Sequence, residues 1–351
     1  MKFDFNSLVR PNIRNLVPYS SARKEFTGAG EIFLDANENS FGSPTEAQFN
    51  RYPDPLQTKI KAIVADWINL SPNEIFIGNG SDEAIDLLFR VFCQPEIDEI
   101  IITPPTYGMY EVSANINNVG IKRVLLSENF EISADDVLKN VDANTKLIFL
   151  CSPNNPTGNS LNRDAVLEIA ANFKGILVVD EAYIHFSSQP SLVEEIKNYP
   201  NLVVLQTFSK AWGLAGLRIG LALANAEIIE FLNKVKPPYN VSQIAQETLL
   251  LALEKRSKVE SVVTNIIEER EILRRKLVEL SFVLSVFPSD ANFLLVKTTN
   301  ADSIYKFLVE KGIIVRNRSN VELCEDCLRI TIGTPEENKA LLRCLRYASN
   351  A

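Results

Sequence analysis

The stretches KLIFLC (146–151), GILVVD (175–180) and NLVVLQ (201–206) decide the fold. Each is a continuous apolar run set between longer, polar, helix-like segments. A strand with one wet face would alternate apolar and polar residues, so unbroken runs read as strands buried on both faces. The same signature recurs in EIFIG (74–78), EIIIT (99–103), KRVLL (122–126) and RIGLALA (218–224). From about residue 71 to 225 the chain therefore predicts a mostly parallel sheet with helices on either side, a three-layer α/β arrangement.

Outside that region the pattern changes. The prolines of VKPPYN (235–240) make a hinge, and a long helical stretch follows over 242–280. NFLLVK, SIYKFLVEKG, IIVRNR, CLRITIG and PEENKALLRCL then alternate strand and helix on a smaller scale, as in a compact α+β domain. The first ~45 residues, rich in Pro, Asn and Ser, read as an extended arm. The expected division is an arm over 1–45 packing with the small domain, a large α/β domain over 46–240 and a small α+β domain over 241–351. Two domains suit a chain of 351 residues, longer than a single core usually grows.

With 44 acidic against 36 basic residues the net charge is −8, which argues against a broad nucleic-acid or anionic-membrane footprint. Any anion the protein binds must meet a local cluster of cations. The apolar runs fall far short of the ~20 residues that span a bilayer. The basic N-terminal stretch (Arg10, Arg14, Arg23, Lys24) has no apolar signal core, so a soluble, cytoplasmic protein is expected. The CEDC motif at Cys324 and Cys327 lacks a second ligand pair, and His185 is the only histidine. No metal site is expected, and the cysteines read as free thiols in a reducing compartment. His185 reads as a tolerated side chain, not a catalyst.

In an open parallel sheet, ligands bind outside the carboxyl ends of the strands. EIFIG runs into NGSDE, where Gly80, Ser81 and Asp82 open a helix and offer an anion site; an ordinary helix cap is the plain alternative. The dinucleotide fingerprint G-x-G-x-x-G is broken there by Glu83. EIIIT leads to Tyr107, KLIFLC to Asn155, GILVVD to Asp180 and Tyr183, and NLVVLQTF to Ser209 and Lys210, with Arg218 eight residues beyond. A carboxylate ending an apolar strand needs a cationic partner unless it stands at the surface. A pyridinium nitrogen would serve Asp180, and an acid at that atom beside a Schiff-base lysine marks pyridoxal phosphate binding. Lys210 is the candidate amine, its pKa lowered by Arg218 and by desolvation, against the reading of an ordinary solvated lysine.

SPNNPTG, VVDEAY, SKAWGLAGLRIG and NGSDE, in this order and spacing, resemble the signature set of the fold type I, class II-like pyridoxal phosphate aminotransferases. IRNLVPYSSAR, RYPDP, PPTYGMY, EAYIHF, GIIVRN and CLRITIG resemble the histidinol-phosphate aminotransferase branch of that family, and the likeness covers nearly the whole chain. The resemblance implies a homodimeric, cytoplasmic enzyme of histidine biosynthesis that exchanges amino groups between L-histidinol phosphate and 2-oxoglutarate. It implies that Lys210 carries the cofactor and shuttles the Cα proton, and that Asp180 pairs with the ring nitrogen. Asn155 and Tyr183 would bond the phenolic oxygen, and Tyr107 would stack on the ring. Gly80, Ser81, Asp82, Ser209 and Arg218 would hold the phosphate, with Tyr52 from a neighbouring subunit. Tyr19, Arg316 and Arg329, with Asn155, would face the substrate. Trp212 stands where the family more often has Phe. Rival readings on this scaffold are an aromatic aminotransferase or a threonine-phosphate decarboxylase. A nicotinamide-dependent dehydrogenase and a non-catalytic cofactor sensor are rivals of other classes.

Overall fold

The computed structural model describes residues 3–19 and 32–350, and the side chains of all but the last three of these. Residues 20–31 of the expected arm, with Arg23 and Lys24, lie outside the described residues. The arm begins with two short helices, α1 (Phe5–Leu8) and α2 (Pro11–Arg14). Phe5, Val9 and Ile13 are buried beside Phe89, Val91 and Phe92, so this segment docks on the large sheet's side and not on the small domain as expected. Extended chain follows only later, because three apolar residues at helical spacing find a core to enter.

Seven strands form the large sheet: β1 (Ile75–Asn79), β2 (Glu99–Ile102), β3 (Gly120–Arg123), β4 (Thr145–Cys151), β5 (Ile176–Asp180), β6 (Leu202–Thr207) and β7 (Ile219–Ala224). Their spatial order is β1-β7-β6-β5-β4-β2-β3. β2 to β6 and β3 pair in parallel, while β7 runs antiparallel to both β6 and β1. The unbroken apolar runs are explained by a core on each face. Ile176 and Val178 of β5 pack into one and Leu177 and Val179 into the other, and β6 divides Val203 and Leu205 from Leu202 and Val204 in the same way. β3 departs from the reading of 122–126. It starts at Gly120 and ends at Arg123, with no residue of it fully buried, as befits an edge strand carrying charge.

Helices α3 (Thr58–Ile68), α4 (Ser81–Phe92), α5 (Met109–Ile116), α6 (Ala134–Lys139), α7 (Arg163–Asn172) and α8 (Ala226–Val235) cover the two faces. The helical stretch beyond the prolines is two helices, α9 (Gln243–Leu253) and α10 (Arg256–Leu277). α9 sends Ala245, Leu249 and Leu253 into a core of the large sheet, whereas α10 places Leu273 and Leu277 in a third core. That third core lies under β8 (Val283–Val286), β9 (Phe293–Thr298), α11 (Ala301–Glu310), β10 (Arg316–Asn317), β11 (Cys327–Thr331) and α12 (Pro335–Asn350). The small sheet is antiparallel throughout, in the order β10-β11-β9-β8. Among the described residues no helix is long and apolar enough to cross a membrane.

Candidate active site

A cavity of about 550 Å³ opens at the carboxyl ends of the large sheet's central strands and is closed on one side by β10 and β11. Ser81, Asp82, Tyr107, Asn155, Asp180, Tyr183, Ser209, Lys210, Arg218, Arg316 and Arg329 all line it. Residues drawn from across some 250 positions of sequence thus meet in one place.

Asp180 is the last residue of β5 and only 3 % exposed. The Tyr110 hydroxyl donates to its Oδ2 at 2.9 Å, and the Ala182 amide donates to Oδ1 at 3.1 Å. Burial pushes its pKa up to about 6 against the opposing pull of these two hydrogen bonds. Among the described residues no cation forms an ion pair with it. Lys210 follows β6 by three residues and projects its amine into the cavity, 5.7 Å from the Tyr183 ring centre. Its pKa is lowered, first by desolvation and then by Arg329, with Arg218 a smaller cause and Asp180 opposing. The arginine that most discourages its protonation therefore comes from the second sheet. Burial also raises the Tyr183 and Tyr107 hydroxyls above their usual range, so both stay protonated.

The turn from β1 into α4 makes a recess. Gly80 sits at φ +77°, a conformation that favours glycine, and a Cβ there would come 2.7 Å from Arg218 Nη2 and push that guanidinium aside. Its amide donates to the Arg218 carbonyl at 2.8 Å. No side chain caps the start of α4, so its first-turn N–H groups are without a side-chain partner at the cap. Arg218 Nη2 lies 3.3 Å from Asp82 Oδ2, and the Tyr107 hydroxyl donates to Asp82 Oδ1 at 3.1 Å. Glu83, which broke the dinucleotide fingerprint, accepts from the Asn79 amide at 2.5 Å and from Asn240 at 2.8 Å, locking the turn.

On the small-sheet side Arg329 donates to Asn155 Oδ1 at 2.5 Å and lies over the Phe293 ring, 5.2 Å from its centre. Arg316 stands directly opposite Arg329 across the β10–β11 pair. Tyr52 and Tyr19 are not brought to this cavity within the chain. Tyr52 is half exposed and stacks on Tyr239 at 4.4 Å, and Tyr19 lines a separate recess with Pro55 and Lys236. Sequence reasoning missed Tyr110, Thr207 and Arg318. Tyr110 looks like any core aromatic, stacked on Phe149 at 4.8 Å, and its bond to Asp180 spans 70 positions. Thr207 donates to Ser209 Oγ at 3.0 Å from the last position of β6. Arg318 could have been found from its spacing of two from Arg316. Among the described residues, no group of three or more His, Cys, Asp or Glu is placed to hold a metal.

Fold and cavity together define a class: a three-layer α/β protein whose cavity holds a lysine of lowered pKa, a buried carboxylate and a group of cations. A family model described as aminotransferase class I and II matches residues 34–345, and the chain belongs to that family. It is 54 % identical to a histidinol-phosphate aminotransferase of Parabacteroides distasonis, over 98 % of this chain and 98 % of the relative. Among solved structures it resembles the histidinol-phosphate aminotransferase of Clostridium acetobutylicum at 27 % identity and TM-score 0.80, covering 86 % of this chain and 91 % of that one. The Sinorhizobium meliloti histidinol-phosphate aminotransferase in complex with pyridoxal-5'-phosphate shares the fold, with TM-score 0.79 at 24 % identity and 90 % coverage of each chain.

Proposed function

We propose that this chain transfers an amino group between L-histidinol phosphate and 2-oxoglutarate, giving imidazole acetol phosphate and L-glutamate in L-histidine biosynthesis, with pyridoxal 5'-phosphate as cofactor. The observation that carries this reading is the meeting of Lys210, Asp180 and paired arginines in one cavity. Relatives at about half identity over nearly the full length bear that activity in their names. Membership of the aminotransferase family removes the dehydrogenase reading.

The residues fit the cofactor. A carboxylate whose pKa burial has raised gains most from a cation placed beside it, which a protonated ring nitrogen supplies. The uncapped start of α4, closed in by Gly80 and Arg218, suits a phosphate. When bound, the cofactor supplies a carbonyl that takes up the amino group and a ring that withdraws electrons from substrate Cα. Lys210, with its pKa lowered, tethers the cofactor and moves the proton at Cα. Asp180, fixed by Tyr110, keeps the ring nitrogen protonated. Asn155 and Tyr183 bond the phenolic oxygen, Tyr107 stacks on the ring, and Ser81, Asp82, Ser209 and Arg218 hold the phosphate. Arg329 and Arg316 receive the anionic end of the substrate.

A homodimer belongs to this reading. Tyr52, half exposed and outside its own chain's cavity, would complete the partner's phosphate site, and a fully active monomer in sedimentation at assay concentrations would contradict it. The division belonging to this reading is an arm over 1–45, a large domain over 46–240 and a small domain over 241–351, with α9 packed in the large sheet's core. The five unpaired cysteines are in keeping with the cytoplasm. The test is spectral titration of the purified holoenzyme with histidinol phosphate, glutamate and tyrosine in turn. Histidinol phosphate and glutamate should each convert the bound cofactor to its amine form. Reaction with tyrosine but not histidinol phosphate would make it an aromatic aminotransferase, and release of carbon dioxide from threonine phosphate would make it a decarboxylase.

A further inference from the structure

We propose that Arg318 is a specificity-determining residue of this site: together with Arg316 it reads the dianionic end of a phosphate-monoester donor, leaving Arg329 to a carboxylate. The inference rests on the transamination proposed above and adds a residue to its substrate recognition.

The argument starts from register. Arg316 and Arg329 are directly paired across antiparallel strands, so their side chains leave the same face of the ribbon. Arg318 lies two residues beyond Arg316, and its amide donates to the Cys327 carbonyl at 2.8 Å, which carries the pairing past the end of β10. Period-two alternation then turns Arg318 to that face as well. All three arginines line the one cavity.

Three like charges on one face repel, and partial burial strengthens the repulsion. Arg329 is compensated by Asn155 and by the Phe293 ring. Arg318 has no such side-chain partner among the described residues, and its Nε, like that of Arg329, is buried without a hydrogen bond. The acidic groups that act on it are the Cys324 thiol and the Tyr183 phenol, and burial holds both in their protonated, uncharged forms. Desolvation and Arg316 lower its pKa with no carboxylate to offset them. Such a group is stabilised by an anion that enters the cavity. A carboxylate carries one charge and is satisfied by one bidentate guanidinium. A phosphate monoester carries about −1.5 to −2 and three acceptor oxygens, which matches two further cations.

The test compares kcat/KM of the holoenzyme for histidinol phosphate, for histidinol, which lacks only the phosphate, and for glutamate. Arg318→Gln should lower the value for histidinol phosphate by about tenfold or more, the scale of one lost charge-assisted hydrogen bond. Values for histidinol and glutamate should change less than about threefold, within the scatter of an uncoupled site. Arg318→Lys keeps the charge without the fork and should lose less, and it carries the same comparison if the Gln variant does not fold. Equal losses on the phosphorylated and unphosphorylated donors would reduce Arg318 to a structural role, and a loss confined to glutamate would assign it the carboxylate; either overturns the proposal. Should the unsubstituted enzyme itself fail to prefer histidinol phosphate over histidinol, the functional reading fails first, before any variant is made.

Discussion

At the carboxyl ends of the seven-stranded sheet the polar groups are answered from within the chain: Asp180 by Tyr110 and Ala182, Asp82 by Tyr107 and Arg218, and Gly80 by a main-chain carbonyl. On the β10–β11 ribbon the reverse holds, for Arg316 and Arg318 share a face with no acid bonded to either among the described residues. On the reading proposed above, the first wall, its polar groups held by neighbours, is the rigid one that fixes where reacting atoms sit, and the second, with its uncompensated charge, selects what enters. Changes to the first should therefore act on turnover, and changes to the second on KM and on the choice of donor.

The largest effect belongs to the rigid wall. Lys210→Ala should abolish turnover, a loss of about 10⁴-fold or more, because the tether and the proton carrier vanish together. Cofactor should still bind through the α4 recess. Borohydride reduction and peptide mapping that put the cofactor on another lysine would break the comparison at its centre.

Next comes Asp180→Asn, which should keep cofactor but lose most activity, since an amide cannot hold the ring nitrogen protonated; near-normal rates would refute its role. The same variant carries a pH signature in the cofactor-free protein. Burial raises the Asp180 pKa from 3.8 to about 6, so between those values the folded chain holds a proton that the unfolded chain has released. Stability from this group is present below pH ~4 and is lost as pH rises through ~6, a swing of about 3 kcal/mol. The Asn variant, which cannot ionise, should gain on the parent protein in urea unfolding as pH goes from 4 to 7. A constant difference across that range would place the carboxylate in water.

The smallest effect tests the charged wall. Arg316→Gln should raise KM for histidinol phosphate far more than for glutamate, by the equivalent of ~2 kcal/mol of charge-assisted bonding. Equal losses for both donors, or none for either, would show that the phosphate is read elsewhere.

The rigid wall was mostly legible in the sequence. Asp180 and Lys210 stand just past unbroken apolar runs, and such runs locate strand ends without knowledge of tertiary contacts. Tyr110 was not legible, because its hydroxyl meets Asp180 through packing and nothing local distinguishes it from Phe89 or Phe149 beside it. The small sheet was harder. β8 is half exposed and short of a clear pattern, and β10 is only two residues long, so IIVRNR read as a longer strand. Register, not composition, sets Arg316 against Arg329 and brings Arg318 to their side. The split of 242–280 at Glu254 and Lys255 was hidden because helical periodicity continues on both sides of the break.

The one reversed strand of the large sheet has a geometric consequence. Had β7 run parallel to β6, a crossover would have delivered its first residue to the far edge, about 20 Å away for a six-residue strand. Because β7 returns antiparallel, the connection between Thr207 and Ile219 begins and ends on the same rim, with Lys210 near its start and Arg218 at its close. β1, antiparallel to β7 in turn, brings Gly80 to that rim as well. Three chain ends thereby converge without a dedicated binding domain, and the length of the Lys210–Arg218 connection becomes a fixed quantity: an inserted residue would shift amine and guanidinium against each other, however well the sheet itself still folded.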